Sequence, residues 1–107
     1  MARCPKTAEE AWKILDKRLS EEDKKAIREA ENMVEFHFSL GMWIRNNWIY
    51  TGEKENLDSL MIDLGKATVI GEDENRFVFY PTGDMASSAI LDAYQKHLRE
   101  YGLVPNI

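Results

Sequence analysis

Glu31 to Tyr50 reads ENMVEFHFSLGMWIRNNWIY, and this stretch decides the fold because, as a helix, it is apolar on most sides. One broad arc of that helix carries six apolar side chains, Met33, Phe36, Leu40, Trp43, Ile44 and Trp48. The nearly opposite side carries Val34, Phe38, Met42 and Ile49. A helix of this kind is typically buried among other elements. We therefore expect a central buried helix, from about Asn32 to Trp48, with the rest of the chain around it.

Two helices are predicted before the central one, and each has its own start signal. Thr7 with Glu10 forms a capping box, and Ser20 with Asp23 forms a second. The first helix carries a one-sided apolar stripe, whereas the second has a thin apolar face and is expected on the outside of the bundle. Residues 7–50 thus hold the first three helices, and residues 1–6 are expected to be a flexible leader.

The hydrophobic pattern changes after the central helix. Residues 53–65 have apolar side chains at helical spacing and predict a short helix. Residues 67–80 contain two runs rich in β-branched and aromatic residues around a turn, which predicts a β-hairpin with one face resting on the helices. Residues 83–101 predict the last helix. The expected fold is mainly α, a compact single domain of 107 residues with a small hairpin insert.

Charge is distributed unevenly along the chain. The formal net charge is −5, and residues 51–84 carry eight acids against three bases. A negative chain lacks the basic face that neutralises phosphates, so we expect no direct binding to nucleic acid. The acidic region is either a solvated surface or the contact for a protein partner with a basic surface. The acids assigned to that contact are Glu53, Glu55, Asp58, Glu72, Asp73 and Glu74.

The sequence contains one cysteine, Cys4, so an internal disulfide and a cysteine-based metal site are excluded. No apolar run approaches the roughly 18 residues that a membrane span requires, and the N-terminus has no signal-like apolar segment. We expect a cytoplasmic protein without membrane contact. No metal-binding spacing, cofactor motif or catalytic constellation is recognisable, which favours a non-enzymatic role.

Polar residues set into apolar arcs are the candidate site. Arg45 on an apolar face requires a carboxylate partner, for which Asp84 is preferred and Glu35 is second. His37 is interpreted as a core histidine and Asn47 as a buried amide that fastens a neighbouring loop. The alternative interpretation is a small-ligand pocket for a nucleotide or another anion. Its residues are His37, Arg45, Asn47, Asp84 and Ser87.

Several blocks of the chain resemble a family of short bacterial proteins classed as a domain of unknown function. The blocks are Thr7–Ala11, Leu19–Asp23, Phe36–Trp48 and Asp84–Leu91. In that family the central block continues with Gly-Leu-Trp and a later run reads His-Pro-Asp-Asp-Met-Ser. Here Ile49 and Tyr50 follow the central block, residues 80–87 read YPTGDMAS, and the hairpin is an addition. The resemblance supports pairing Arg45 with Asp84 and implies no reaction.

Members of that family resemble small proteins found near bacterial conflict and mobile-element genes. The resulting hypothesis is an acidic protein-binding module of the immunity or inhibitor type, in a phage-borne counter-defence setting. The apolar surface of the central helix also exceeds what a thin second helix and one hairpin can cover, which is compatible with a homodimer.

Overall fold

Helices dominate the structure, a computed structural model that describes residues 3–101. The helices are α1 (Ala8–Arg18), α2 (Glu21–Glu29), α3 (Val34–Phe38), α4 (Leu40–Ile44), α5 (Lys54–Asp63) and α6 (Asp84–Tyr101). A π-helical turn, Arg45–Ile49, continues α4, and the hairpin consists of β1 (Thr68–Ile70) and β2 (Phe77–Phe79). The prediction of a mainly helical domain with a small hairpin is confirmed.

The first two helices begin where their capping residues predict. The Thr7 hydroxyl accepts a hydrogen bond from the Glu10 amide at 3.2 Å, and Ser20 and Asp23 form a complete capping box. The predicted capping box at Thr7 is only half formed, because the Glu10 carboxylate accepts from the amide of Lys6 at 2.8 Å and not from that of Thr7. Local side-chain chemistry therefore fixes both helix starts.

The central segment is interrupted at Ser39, which corrects the expectation of one unbroken helix from about Asn32. Ser39 has φ −107° and ψ −82°, and its hydroxyl donates to the carbonyl of Glu35 at 3.4 Å. A serine that bonds back to the preceding turn bends a helix. Beyond the break, the Tyr50 amide donates to the Arg45 carbonyl at 2.8 Å, which closes the wider π turn.

Only one side of the central segment is covered. Leu40, Ile44 and Trp48 are buried, whereas Val34, Phe38 and Met42 are exposed. The expectation that both apolar arcs are buried is therefore wrong. The reason is that α6 packs against α3, α4 and the π turn from the side of the buried arc.

The last helix shares the central position, since it also packs against α2. Its buried arc follows the predicted spacing, except that Tyr101 is exposed: Ala86, Ser87, Ile90, Leu91, Tyr94 and Leu98. Gly41 of α4 lies at this contact, since a Cβ there would be 3.4 Å from Cδ1 of Leu91.

The hairpin is antiparallel, and Val69 pairs with Val78 at its centre. Each strand residue except Val78 is exposed, so the expectation that one face rests on the helices is not met. The contact to the helices is instead made by Tyr80, just after β2, whose hydroxyl donates to Asp58 of α5 at 2.5 Å.

The segment before α1 docks against α5. Cys4 and Pro5, which the sequence places in a flexible leader, are buried. The Cys4 amide donates to Glu53 at 3.3 Å, and the Asn56 side chain donates to the Cys4 carbonyl at 3.1 Å. Residues 1 and 2 lie outside the described residues. Between residues 3 and 101, no helix has the length and apolar character needed to cross a membrane.

Candidate functional site

Arg45 lies at the centre of a cluster that joins three helical elements. Its Nε is 3.2 Å from Oδ1 of Asp84, its Nη1 donates to the Ser87 hydroxyl at 2.9 Å, and its Nη2 donates to the His37 carbonyl at 3.3 Å. The predicted pairing with Asp84, rather than with Glu35, is confirmed. Each guanidinium nitrogen is thus directed to a partner inside the protein.

His37 and Asn47 have different surroundings. The Nε2 of His37 lies 3.3 Å from the hydroxyl of Ser88, so the imidazole also contacts α6. Asn47 donates to the carbonyl of Trp43 at 2.9 Å, within its own helical segment, so the expectation that its amide fastens a neighbouring loop is wrong. The structure therefore brings His37 to the Arg45 cluster but places the Asn47 amide at the widened turn, where it satisfies a backbone acceptor.

The hydrogen-bonding groups of Ser87 have their partners within the cluster. Its side chain is fully buried, accepts from Arg45 and donates to the Asp84 carbonyl at 2.9 Å. A ligand anion would have to displace these bonds, at the cost of leaving buried polar groups unpaired. The hydrogen bonds and ion pair of Arg45 thus hold the central segment against α6.

The six acids assigned to partner binding fall into two groups. Glu53 is used inside the protein, by the Cys4 amide, by Asn56 and by an ion pair with Arg3 at 3.7 Å. Asp58 accepts from Lys54 at 2.9 Å as well as from Tyr80. The other four acids are exposed, namely Glu55, Glu72, Asp73 and Glu74.

The hairpin presents an exposed apolar face, although one face of the hairpin was expected to rest on the helices. Phe77 and Phe79 point to the same side as Ile70, because side chains alternate along a strand and Ile70 pairs with Phe77. The two phenyl rings are 6.2 Å apart. Exposed fractions of 57% for Ile70, 64% for Phe77 and 55% for Phe79 leave this face open. The sequence does carry a signal for this exposed face. Each strand has apolar residues on both faces, and only one face of a hairpin can rest on the domain.

A polar network supports the base of the hairpin. The Asp58 carboxylate holds both Lys54 and Tyr80, and burial together with the bond to Asp58 raises the pKa of the Tyr80 hydroxyl above its ordinary range. The protonated hydroxyl is the donor in the bond to Asp58. This bond joins residues 22 positions apart, so no local sequence pattern predicts it.

One family matches the chain by sequence, described as a domain of unknown function (DUF6794), over residues 4–74. The matched stretch includes the central block and ends within the hairpin, before Asp84. The resemblance seen in the last helix and the status of the hairpin as an addition remain predictions. No match was found among curated proteins or among solved structures. Because the matched residues make up more than half of the sequence, the chain belongs to this domain family of unknown function.

Proposed function

We propose that the protein is a small acidic protein-binding module of the immunity or inhibitor type, acting in the cytoplasm, with the hairpin as its contact surface. The observation that carries this proposal is the exposed apolar face formed by Ile70, Phe77 and Phe79. Burying each of these side chains against a partner is favourable by about 1.5–3 kcal/mol when burial is complete. Large aromatic side chains are typical anchors at the centre of protein interfaces.

The charge around this face supports a partner with a basic rim. Glu72, Asp73 and Glu74 are exposed in the loop that joins the two strands, beside the apolar residues. Opposite charges around an apolar centre raise association rates and select among partners, an effect that weakens as salt increases. An apolar centre with an acidic rim suits a protein that covers a basic surface of its target. The phage-borne setting rests on the family resemblance alone.

The first experiment identifies what contacts the hairpin. A photo-crosslinking phenylalanine analogue at position 77 should capture one bacterial protein from cells, and the same analogue at Met85 should not. Met85 is the matched control because it is also an exposed apolar residue but lies at the start of α6. Equal capture from both positions, or none, would count against the hairpin as the contact surface.

The second experiment measures binding of the captured partner in purified form. Replacing Phe77 and Phe79 together by Ser should weaken binding at least about a hundredfold, since two anchors are lost. Changing Glu72, Asp73 and Glu74 to their amides should weaken binding mainly at low salt. The control neutralises three exposed acids elsewhere, Glu29, Glu31 and Glu35. Unchanged affinity in the phenylalanine double variant contradicts the proposal.

The alternative proposal, a nucleotide or anion pocket around His37, Arg45, Asn47, Asp84 and Ser87, has less support. The guanidinium of Arg45 already has partners for each of its nitrogens. A thermal-shift panel of metabolites and cyclic nucleotides distinguishes the two proposals, because a ligand at 100 times its dissociation constant adds about 2.7 kcal/mol. Stabilisation that Arg45→Ala abolishes in a folded protein would favour the pocket.

We also propose that the uncovered side of the central segment is the contact between two copies of the chain. Val34, Phe38 and Met42 are exposed there, and Phe38 is 75% exposed. Light scattering during size-exclusion chromatography should give a dimer mass, and Phe38→Glu should give a monomer. A monomer mass for the unsubstituted protein contradicts the dimer without affecting the hairpin proposal.

A further inference from the structure

A groove with a volume of about 540 Å³ lies where the end of α1 and one side of α2 meet the central segment around its break at Ser39. Its apolar floor includes Ile27, Leu40 and Phe36, of which the first two are buried core residues. Apolar clefts of this size, with a few polar groups at the edge, are typical of sites for small molecules.

Arg18 and Trp43 form one wall of the groove. The guanidinium carbon of Arg18 lies 4.3 Å from the centre of the Trp43 ring, which is a cation–π contact. Within residues 3–101 no carboxylate lies within ion-pairing distance of Arg18, in contrast to Arg45, which is paired with Asp84. The exposed Arg18 fork is therefore available for an anion, and the indole beneath it holds the fork over the groove.

Asp23 restricts which anion fits. Its carboxylate lines the same groove and accepts from the amide of Ser20 at 3.4 Å, so it remains there as the cap of α2. Arg18 is the one cation among the described residues that line the groove, so a second charge on a phosphate monoester would have no cation of its own and would add to the repulsion from Asp23. The planar fork of Arg18 matches a carboxylate through two parallel hydrogen bonds.

We propose that this groove binds small aromatic monocarboxylates. The aromatic ring lies on the apolar floor beside Phe36 and Leu40, and the carboxylate is held by the guanidinium of Arg18. This site is separate from the hairpin surface, so neither proposal depends on the other.

The test uses the full chain and indole-3-acetate as the probe, followed through the Trp43 indole N–H resonance, which Trp43→Phe assigns. We expect saturable shifts of that resonance. The neutral indole-3-acetamide and phenyl phosphate should each bind at least about tenfold more weakly, since one lacks the charge and the other adds a second charge. Arg18→Gln should weaken indole-3-acetate binding at least about tenfold, and Lys17→Gln, on the adjacent exposed position of α1, should not.

Three outcomes would overturn the proposal. One is the absence of saturation up to roughly 10 mM, where a complex with a dissociation constant of roughly 1 mM is mostly formed. The second is equal binding of the carboxylate and its amide. The third is unchanged affinity in Arg18→Gln. If Arg18→Gln does not fold, Arg18→Lys keeps the charge but loses the fork, and unchanged affinity in that variant equally contradicts two-point binding.

Discussion

The Nε of Arg45 and the Oδ1 of Asp84 lie 3.2 Å apart, yet the two side chains differ sharply in burial, at 13% and 86% exposed. The Arg45 side chain is therefore largely buried, whereas the Asp84 side chain is largely in solvent. An ion pair with one exposed member contributes little by itself, because water screens it. The interactions of the guanidinium with Ser87 and with the His37 carbonyl are therefore the stronger part of the cluster.

Arg45→Ala should lower the free energy of unfolding by about 2–3 kcal/mol, because the His37 carbonyl loses a donor and the packed alkyl stem is lost. Asp84→Asn should cost less than about 1 kcal/mol, since its charge is mostly solvated. Urea denaturation of both variants measures the two values. A larger loss for Asp84→Asn than for Arg45→Ala would show that the ion pair itself is the main stabilising contact.

Local signals predict the parts of this fold that depend on near neighbours in sequence. The capping residues Thr7 and Ser20 mark the helix starts, and the spacing along residues 84–98 predicts the buried arc of α6. The pairing of Arg45 with Asp84 was also predictable, because an arginine on an apolar face requires a carboxylate and few acids are suitably placed.

What the sequence does not predict depends on distant neighbours. Whether Val34 and Phe38 are covered is decided by the position of α6, and the exposed hairpin face depends on how the strands leave α5. Tyr94 donates a hydrogen bond to Asp16, 78 positions away in sequence, and no local sequence pattern predicts a bond of that kind. Packing also decides whether the helix breaks at Ser39, because the serine hydroxyl can bond back to the Glu35 carbonyl or leave the helix regular.

The Cys4 thiol should react slowly in the native protein. Burial, with a further contribution from the charge of Glu53, raises its pKa to about 12, which leaves about one thiolate in ten thousand at pH 8. A chromogenic disulfide reagent should therefore label the native protein orders of magnitude more slowly than the urea-unfolded protein. Immediate labelling at neutral pH would mean that the segment around Cys4 opens readily in solution.

Tyr94 should make the protein sensitive to alkali. Burial and the 2.7 Å bond to Asp16 raise its pKa above the ordinary value of 10.0. In the unfolded chain the hydroxyl ionises near pH 10, whereas in the fold it keeps its proton, so stability is complete below that pH and declines above it.

Urea midpoints measured from pH 8 to pH 11 test this expectation. Tyr94→Phe should lower stability at pH 8 by about 1–2 kcal/mol, because Asp16 loses a donor, and should flatten the alkaline decline. Tyr101→Phe, at an exposed position of the same helix, is the matched control and should change neither quantity. A decline of equal slope in Tyr94→Phe would assign the alkaline sensitivity to other groups, of which Tyr80 has the same direction of pKa shift.

Gly71 should be indispensable for the hairpin but not for the helices. Its φ of 90° lies in the left-handed region, and an added Cβ would collide with the backbone carbonyl of Asn75 across the loop. Gly71→Ala should therefore abolish the nuclear Overhauser contacts between Val69 and Val78, while the helical circular dichroism is retained because the strands bury little of the core.

Gly65→Ala provides the comparison, since its φ is 71° but nothing lies within 4 Å of an added Cβ, so only about 1 kcal/mol of backbone strain is expected. If partner binding requires the formed hairpin, Gly71→Ala should lose binding and Gly65→Ala should keep it. Retained Val69 to Val78 contacts in Gly71→Ala would show instead that the loop can rearrange around a side chain.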